Sequence, residues 1–237
     1  MEFDPDDLDS TMCYKLLIGS IVPRPIGWAS TLSRDGIPNL APFSFFTCVC
    51  RKPPMVSLTI QPKSDRLYEK DTLINIRETG EFVVNTVSLA NANPMHASSK
   101  EFPPEVDEFV EVGLEKAPSH VVKPLRVASA PIAMECRVDR LLSMGDVGDH
   151  LVIGRVVRFH VAEKVMVQTG RIDTALLQPV GRLAGEYVLL EKMFACPVPD
   201  ETLARHAGPM YRIDEKETGW SPLDEKDWSA AGNAKAT

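Results

Sequence analysis

This chain of 237 residues predicts a mainly β fold with a few helices, arranged as an antiparallel barrel rather than a parallel α/β sheet. Short runs rich in β-branched or alternating apolar residues recur along it, and only two or three helical stretches fall between them. Of the turns joining neighbouring runs, Arg34-Asp35-Gly36 carries the Asp-Gly pair of a tight hairpin, and Gly145-Asp146-Val147-Gly148-Asp149 joins the last two long runs.

In chain order, Ser10 to Leu17 reads as a helix capped by Asp9 or Ser10 and stopped at Gly19. Strands follow at Ile26 to Ser33, Asn39 to Cys48 and Met55 to Ile60, the last two separated by the Lys52-Pro53-Pro54 turn. Asp71 to Glu78 is a helix. Asp71 or Thr72 serves as its cap, Leu73, Ile74 and Ile76 form its apolar side, and Gly80 stands where a left-handed C′ residue belongs. Glu81 to Val87 has the density of a buried strand, and Leu89 to Ser99 reads as a helix bent or delayed by Pro94. The prolines and charges from Phe102 to Pro131 suggest a long surface excursion. Strand character returns at Ile132 to Met144, where Ile132, Met134, Cys136 and Val138 alternate, and again at His150 to Val161. Residues 1–194 are expected to form one domain. Beyond it, residues 195–237 form a Pro-rich extension bearing Pro197, Pro199, Pro209 and Pro222 with Trp220 and Trp228. It is expected to drape over the barrel or a partner subunit as far as Trp228 and to fray after Ser229.

The bulk numbers narrow the partners. With 44% apolar and 25% charged residues the composition is that of a soluble globular protein, and a net charge of -7 repels a phosphate backbone, which argues against nucleic acid. The acidic start lacks a basic n-region, no apolar run approaches the roughly 18 residues of a membrane span, and a cytoplasmic location is expected. The five cysteines are odd in number and scattered, and Cys-x-x-Cys and His-Glu-x-x-His spacings are missing. The expectation is therefore buried, reduced thiols and no metal.

Two stretches carry candidate chemistry. The first hairpin mixes Ser30, Thr31, Ser33, Ser44 and Thr47 with Trp28, Phe43, Phe45 and Phe46. Either it lines a flat polar ring system or it is an ordinary barrel hairpin with its hydroxyls on the wet face. After the next strand, Lys63, Ser64 and Arg66 precede Lys70-Asp71-Thr72, where unpaired amides, a hydroxyl and cations at a helix start suit a dianionic phosphate. A capped helix with solvated lysines is the plainer reading of the same string. Neither a Gly-x-Gly-x-x-Gly cradle nor a P-loop is present. His150, beside a Gly-Asp turn, can orient a carbonyl or carboxamide, with Asp146 and Asp149 close by in sequence. No motif marks Ser30 or Ser44 as a nucleophile for hydrolysis.

RPIGWASTLSRDGIPNLAPFSFF, KDTLINIRETGEFVVN, APIAMECRVDRLL and GDHLVIGRVV, in this order between about Phe3 and Phe194, resemble successive blocks of the flavin reductase-like family, the FMN-binding split-barrel proteins. The resemblance implies a six-stranded split β-barrel that dimerises and holds FMN near the dimer interface. It implies hydride transfer from NAD(P)H to flavin N5, and in some relatives a monooxygenase partner. By motif it assigns Trp28, Ala29, Ser30 and Thr31 to the isoalloxazine and ribityl chain, with Asn39, Ala41, Pro42, Phe43 and Ser44 as the second strand of that wall. Ser64, Arg66, Lys70 and Thr72 become phosphate neighbours, His150 orients nicotinamide or flavin, and Gly185 and Tyr187 edge the pocket. A non-enzymatic carrier of FMN or haem on the same barrel is the alternative.

Overall fold

The computed structural model describes residues 1–167 and 170–190; the extension expected at 195–237 lies outside them. The amino-terminal half contains α1 (Ser10–Ser20), β1 (Arg24–Pro25), β2 (Gly27–Leu32), β3 (Pro38–Phe43), β4 (Phe46–Arg51), β5 (Pro54–Ile60), α2 (Asp71–Thr79) and β6 (Glu81–Thr86). Next come α3 (Ala92–Ala97), α4 (Glu108–Glu111), β7 (Lys116–Ala117), β8 (Arg126–Val127), and the long hairpin of β9 (Ile132–Met144) and β10 (Asp149–Val161). The described chain ends with β11 (Met166–Val167), β12 (Arg171–Ile172), α5 (Thr174–Leu177), β13 (Val180–Arg182) and β14 (Tyr187–Leu189).

The main sheet is antiparallel throughout, in the order β3-β2-β6-β9-β10-β5-β4. It has seven strands where the resemblance implies six. The run expected as one strand, Asn39 to Cys48, breaks at Ser44-Phe45 into β3 and β4, which occupy opposite edges. Long-range partners hold the break: the Ser44 hydroxyl accepts from Arg24 Nε at 3.3 Å, and the Phe45 carbonyl accepts from the Thr59 amide at 2.8 Å. Edges separated by two residues of chain must come together, so the sheet curls into a barrel that stays open along that seam. β1, β13 and β14 form a separate three-stranded sheet.

Alternation along β2 separates two cores. Ala29 faces the barrel interior, which Leu73 and Ile76 of α2 plug against Phe43, Leu58, Phe82, Val84, Cys136 and Val152. Trp28 faces outward into a second cluster with Leu40, Met95, Phe109, Val127 and Val180. Both faces of β2 are therefore covered. The hydroxyls of Ser30 and Thr31, expected on a wet face in the barrel-hairpin reading, are instead buried.

Several boundaries move. α1 runs through Gly19 to Ser20, with Asp9 Oδ1 accepting from the Met12 amide at 2.8 Å. Pro94 lies in the first turn of α3, after a short 3-10 turn at Leu89–Asn91, where its missing N–H leaves no intrahelical bond unmade. The stretch from Phe102 to Pro131 is no simple surface excursion, because α4 inserts Phe109, and β8 inserts Val127, into the second cluster with no exposure. Of the cysteines, Cys136 is buried, but Cys48 and Cys50 are exposed on edge strand β4, where a register shift falls between them.

Candidate functional site

A small open cleft lies where edge strand β3 meets the start of α2 and the segment after α3. β3 supplies Asn39, Ala41, Pro42 and Phe43, and α2 supplies Asp71 and Thr72 behind Lys70. Proline at position 42 suits an edge strand, since no ladder hydrogen bond is lost on the open side. Lys63, Glu101, Phe102 and Glu108 complete the walls.

No side chain caps the first turn of α2. The two caps expected there are engaged elsewhere: Asp71 Oδ2 pairs with Lys63 Nζ at 3.0 Å, and the Thr72 hydroxyl donates to Asn39 Oδ1 at 2.7 Å. That bond belongs to a buried network at the cleft floor. Thr31 donates to Asn39 Oδ1 at 3.2 Å, Asn75 Nδ2 donates to the Thr31 hydroxyl at 3.0 Å, and Asn39 Nδ2 donates to Glu108 Oε1 at 2.7 Å. Glu108 Oε2 accepts the Leu40 amide at 3.1 Å. Burial pushes the Glu108 carboxyl above its ordinary range, although the hydrogen bonds it accepts pull the other way. The amide orientation of Asn39 is thereby locked, and β3 is pinned to β2, α2 and α4 at once.

At the cleft mouth, Glu101 Oε1 accepts the Ser64 amide at 2.8 Å, Glu101 Oε2 accepts the Ser64 hydroxyl at 2.7 Å, and Lys70 Nζ stands 3.3 Å from Oε1. The Ser64 hydroxyl is the main influence holding the Glu101 carboxyl below its usual range, with Lys70 adding to it. These donors already grip an oxyanion, so the donor set has the chemistry a phosphate needs.

The structure distributes the sequence-predicted residues unevenly. Asn39, Ala41, Pro42, Phe43, Lys70 and Thr72 line the cleft, and Ser64 stands at its mouth through Glu101. Trp28, Ala29, Ser30 and Thr31 lie behind β3, wholly buried, with Trp28 Nε1 donating to Ser98 Oγ at 2.9 Å and the Ser30 hydroxyl donating to the Leu125 carbonyl at 2.5 Å. Ser44 sits at the β3–β4 break. Arg66 has φ +57°, a left-handed conformation uncommon for arginine, in the exposed loop before α2. Its charge and that of His150 act on Asp149, whose carboxyl burial pushes up. His150, outside the cleft lining, is the second residue of β10 and lies opposite Ile60, with Nδ1 at 2.9 Å from the Gly148 carbonyl. A carbonyl only accepts, so Nδ1 carries a proton and Nε2 is left to address a ligand. Tyr187 and Gly185 belong to the three-stranded sheet side. The Tyr187 hydroxyl meets His96 Nδ1 at 2.9 Å, and the Arg182 guanidinium lies 4.6 Å over its ring.

Sequence reasoning missed Arg24, Asn75, Glu101 and Glu108. A lone arginine in Ile-Val-Pro-Arg-Pro-Ile, and an asparagine between Leu73 and Ile76 on an apolar helix face, were readable signals of buried polar hubs. The two glutamates carry no local signal.

The open antiparallel barrel is a fold that the comparisons with known proteins share. Residues 18–175 match the model of the Flavin reductase like domain, and the chain belongs to that family. It is 36% identical to nitrilotriacetate monooxygenase component B from Bacillus cereus, with a TM-score of 0.78 over 82% of this chain and 98% of that one. It is 30% identical to 2-nitrobenzoate 2-nitroreductase from Pseudomonas fluorescens, with a TM-score of 0.76 over 84% of this chain and 97% of that one. A split-barrel structure from Shewanella frigidimarina, 20% identical, shares the fold with a TM-score of 0.72 over 83% of this chain and 98% of that one.

Proposed function

We propose that this protein is an FMN-dependent oxidoreductase that transfers a hydride from NAD(P)H to flavin N5. The observation that carries the reading is the cleft: in a chain of the flavin reductase-like family, an edge-strand wall of Ala41, Pro42 and Phe43 stands beside a group of oxyanion donors, Ser64 and Lys70, and the uncapped start of α2. Bound FMN would supply the hydride-accepting ring. The chain's own residues bind and orient: Ser64, Arg66, Lys70 and Thr72 address the phosphate, and Asn39, Ala41, Pro42 and Phe43 lie along the flavin. Trp28 to Thr31 hold that wall from behind, and Ser44 fixes its end through Arg24. Hydride transfer needs no nucleophile or general base at the reacting carbon, only close stacking and room for the donor to leave.

His150 is assigned to orienting the nicotinamide, and Gly185 and Tyr187 to the pocket edge. His150→Ala is expected to raise the nicotinamide KM several-fold before FMN affinity moves; equal loss of both would remove the assignment. A homodimer, a monooxygenase partner and a cytoplasmic location complete the reading. No helix among the described residues is long and apolar enough to cross a membrane.

The direct test is the visible spectrum of the purified protein, followed by steady-state oxidation of NADH and NADPH with and without added FMN or FAD. Yellow protein whose nicotinamide oxidation rises with added flavin supports the reading. Protein that stays colourless after soaking in excess FMN removes it.

A further inference from the structure

Two of the four groups that the FMN reading assigns to the phosphate, Ser64 and Lys70, are already engaged by this chain's own Glu101. Both carboxylate oxygens are used: the Ser64 amide holds one, the Ser64 hydroxyl holds the other, and Lys70 Nζ approaches the first. Backbone and side chain of one serine thus form a two-point grip that a pair of phosphate oxygens satisfies equally well. Lys63 is likewise paired, with Asp71. Three lysines around the cleft (Lys63, Lys70 and Lys100) face three carboxylates (Asp71, Glu101 and Glu108), so it offers a dianion no net positive charge while Glu101 stays in place.

Resting on the FMN reading, we propose that Glu101 is an internal stand-in for the cofactor phosphate, a carboxylate latch that keeps Ser64 and Lys70 aligned until FMN docks and displaces it. The exchange is chemically reasonable. A phosphate monoester brings close to two charges and three acceptor oxygens, against one charge and two oxygens for the carboxylate. The Glu101 side chain is one-third exposed, and an ion pair so open to water is weak. Glu101 also lies in the irregular segment between α3 and α4, just before Phe102-Pro103-Pro104, so a side-chain rotation toward solvent needs no regular element to unfold. Once displaced, the carboxylate remains next to the phosphate, repels it and competes for its donors. The latch therefore weakens FMN retention and speeds its release, which suits a flavin that exchanges. Riboflavin, lacking the phosphate, does not feel it.

The test is fluorescence titration of flavin-free protein, wild type and Glu101→Gln, with FMN and with riboflavin at low ionic strength, together with stopped-flow release of each. FMN is expected to bind E101Q about tenfold more tightly, equivalent to about 1.4 kcal/mol, chiefly through slower release, while riboflavin affinity stays within about twofold of wild type. Unchanged or weaker FMN binding by E101Q overturns the latch, as does a parallel change for both flavins, which would make Glu101 a structural brace. Wild type that binds neither flavin defeats the FMN reading itself, whereas wild type that binds FMN no differently from E101Q defeats the latch alone.

Discussion

Glu135 shows how one side chain fixes a distant part of the site. It is wholly buried on β9, on the sheet face opposite Cys136 and the barrel interior. Its carboxylate accepts the amides of His120, Val121 and Val122 at 2.8, 2.6 and 3.0 Å, and His160 Nε2 stands 2.5 Å away. The loop pinned in this way runs on to Leu125, whose carbonyl receives the Ser30 hydroxyl of β2. Burial alone would push the Glu135 carboxyl up, but these donors together lower it to about 2. A depressed folded-state value gives stability that is present above the unfolded-state value of about 4.3 and is lost as pH falls through that value toward about 2. Each tenfold weakening of proton binding in the folded state is equivalent to about 1.4 kcal/mol, so the contribution is about 3 kcal/mol. Glu135→Gln keeps the shape but turns a carboxamide NH2, itself a donor, toward amide donors, so a loss of roughly 2–4 kcal/mol at pH 7 is expected. Urea unfolding from pH 7 to pH 3 checks this: the stability gap between the two proteins should narrow below pH 4, and a constant gap would contradict the assignment.

At the scale of elements, the barrel depends on one close approach. A Cβ built on Gly154 of β10 would lie against Cζ and 2.6 Å from Cε1 of Phe82, a β6 side chain with no exposure. The register between β9 and β10 shifts at Ile153/Gly154, so glycine there lets β10 bend over the ring. Gly154→Ala is expected to cost about 2–3 kcal/mol by overpacking. At Gly145, with φ +59° and open space around its Cβ, alanine should cost only about 1 kcal/mol of backbone strain. Thermal denaturation of the two variants reads the difference, and equal losses would contradict the packing argument. The same contrast explains what was legible in the chain. The β9–β10 hairpin, the turn at Gly36 with φ +83° and the left-handed Gly80 that closes α2 are set by local patterns, and each could be read before any coordinate. The break at Ser44-Phe45 is set by Arg24 and Thr59, and the four-residue α4 is too short to announce itself. At the cleft, cations and hydroxyls ahead of a helix start were visible as types. That Glu101 and Glu108 close on them was not visible, because pairings made over 37 and 69 residues of chain leave no local trace.

On the scale of the whole molecule, α1 is left uncovered by the described residues. It has 11 residues and none is buried, although it carries Met12, Cys13, Tyr14, Leu16, Leu17 and Ile18. Leu17 is 54% exposed, Ile21 beyond it 60%, and Val49 on β4 48%. Fraying does not explain this, because Arg24 holds the helix firmly. Its Nη1 donates to the Ile18 and Ile21 carbonyls at 2.6 and 3.1 Å, its Nη2 donates to the Leu183 carbonyl at 2.7 Å, and its Nε reaches Ser44 at the barrel seam. An apolar helix fixed in place and left bare is a surface awaiting a partner, and the homodimer in the proposed function supplies a second copy of this chain. Leu17→Asp would put an unpaired charge into that contact, and a buried unpaired charge is strongly unfavourable. Sedimentation velocity at micromolar concentrations is expected to give twice the chain mass for the wild type and the single-chain mass for L17D. Because the proposed flavin cleft starts from the strand that Ser44 terminates, FMN affinity should fall with the dimer in L17D while its thermal unfolding stays cooperative. Wild type that sediments as a monomer at all concentrations would mean that something other than a second copy covers α1.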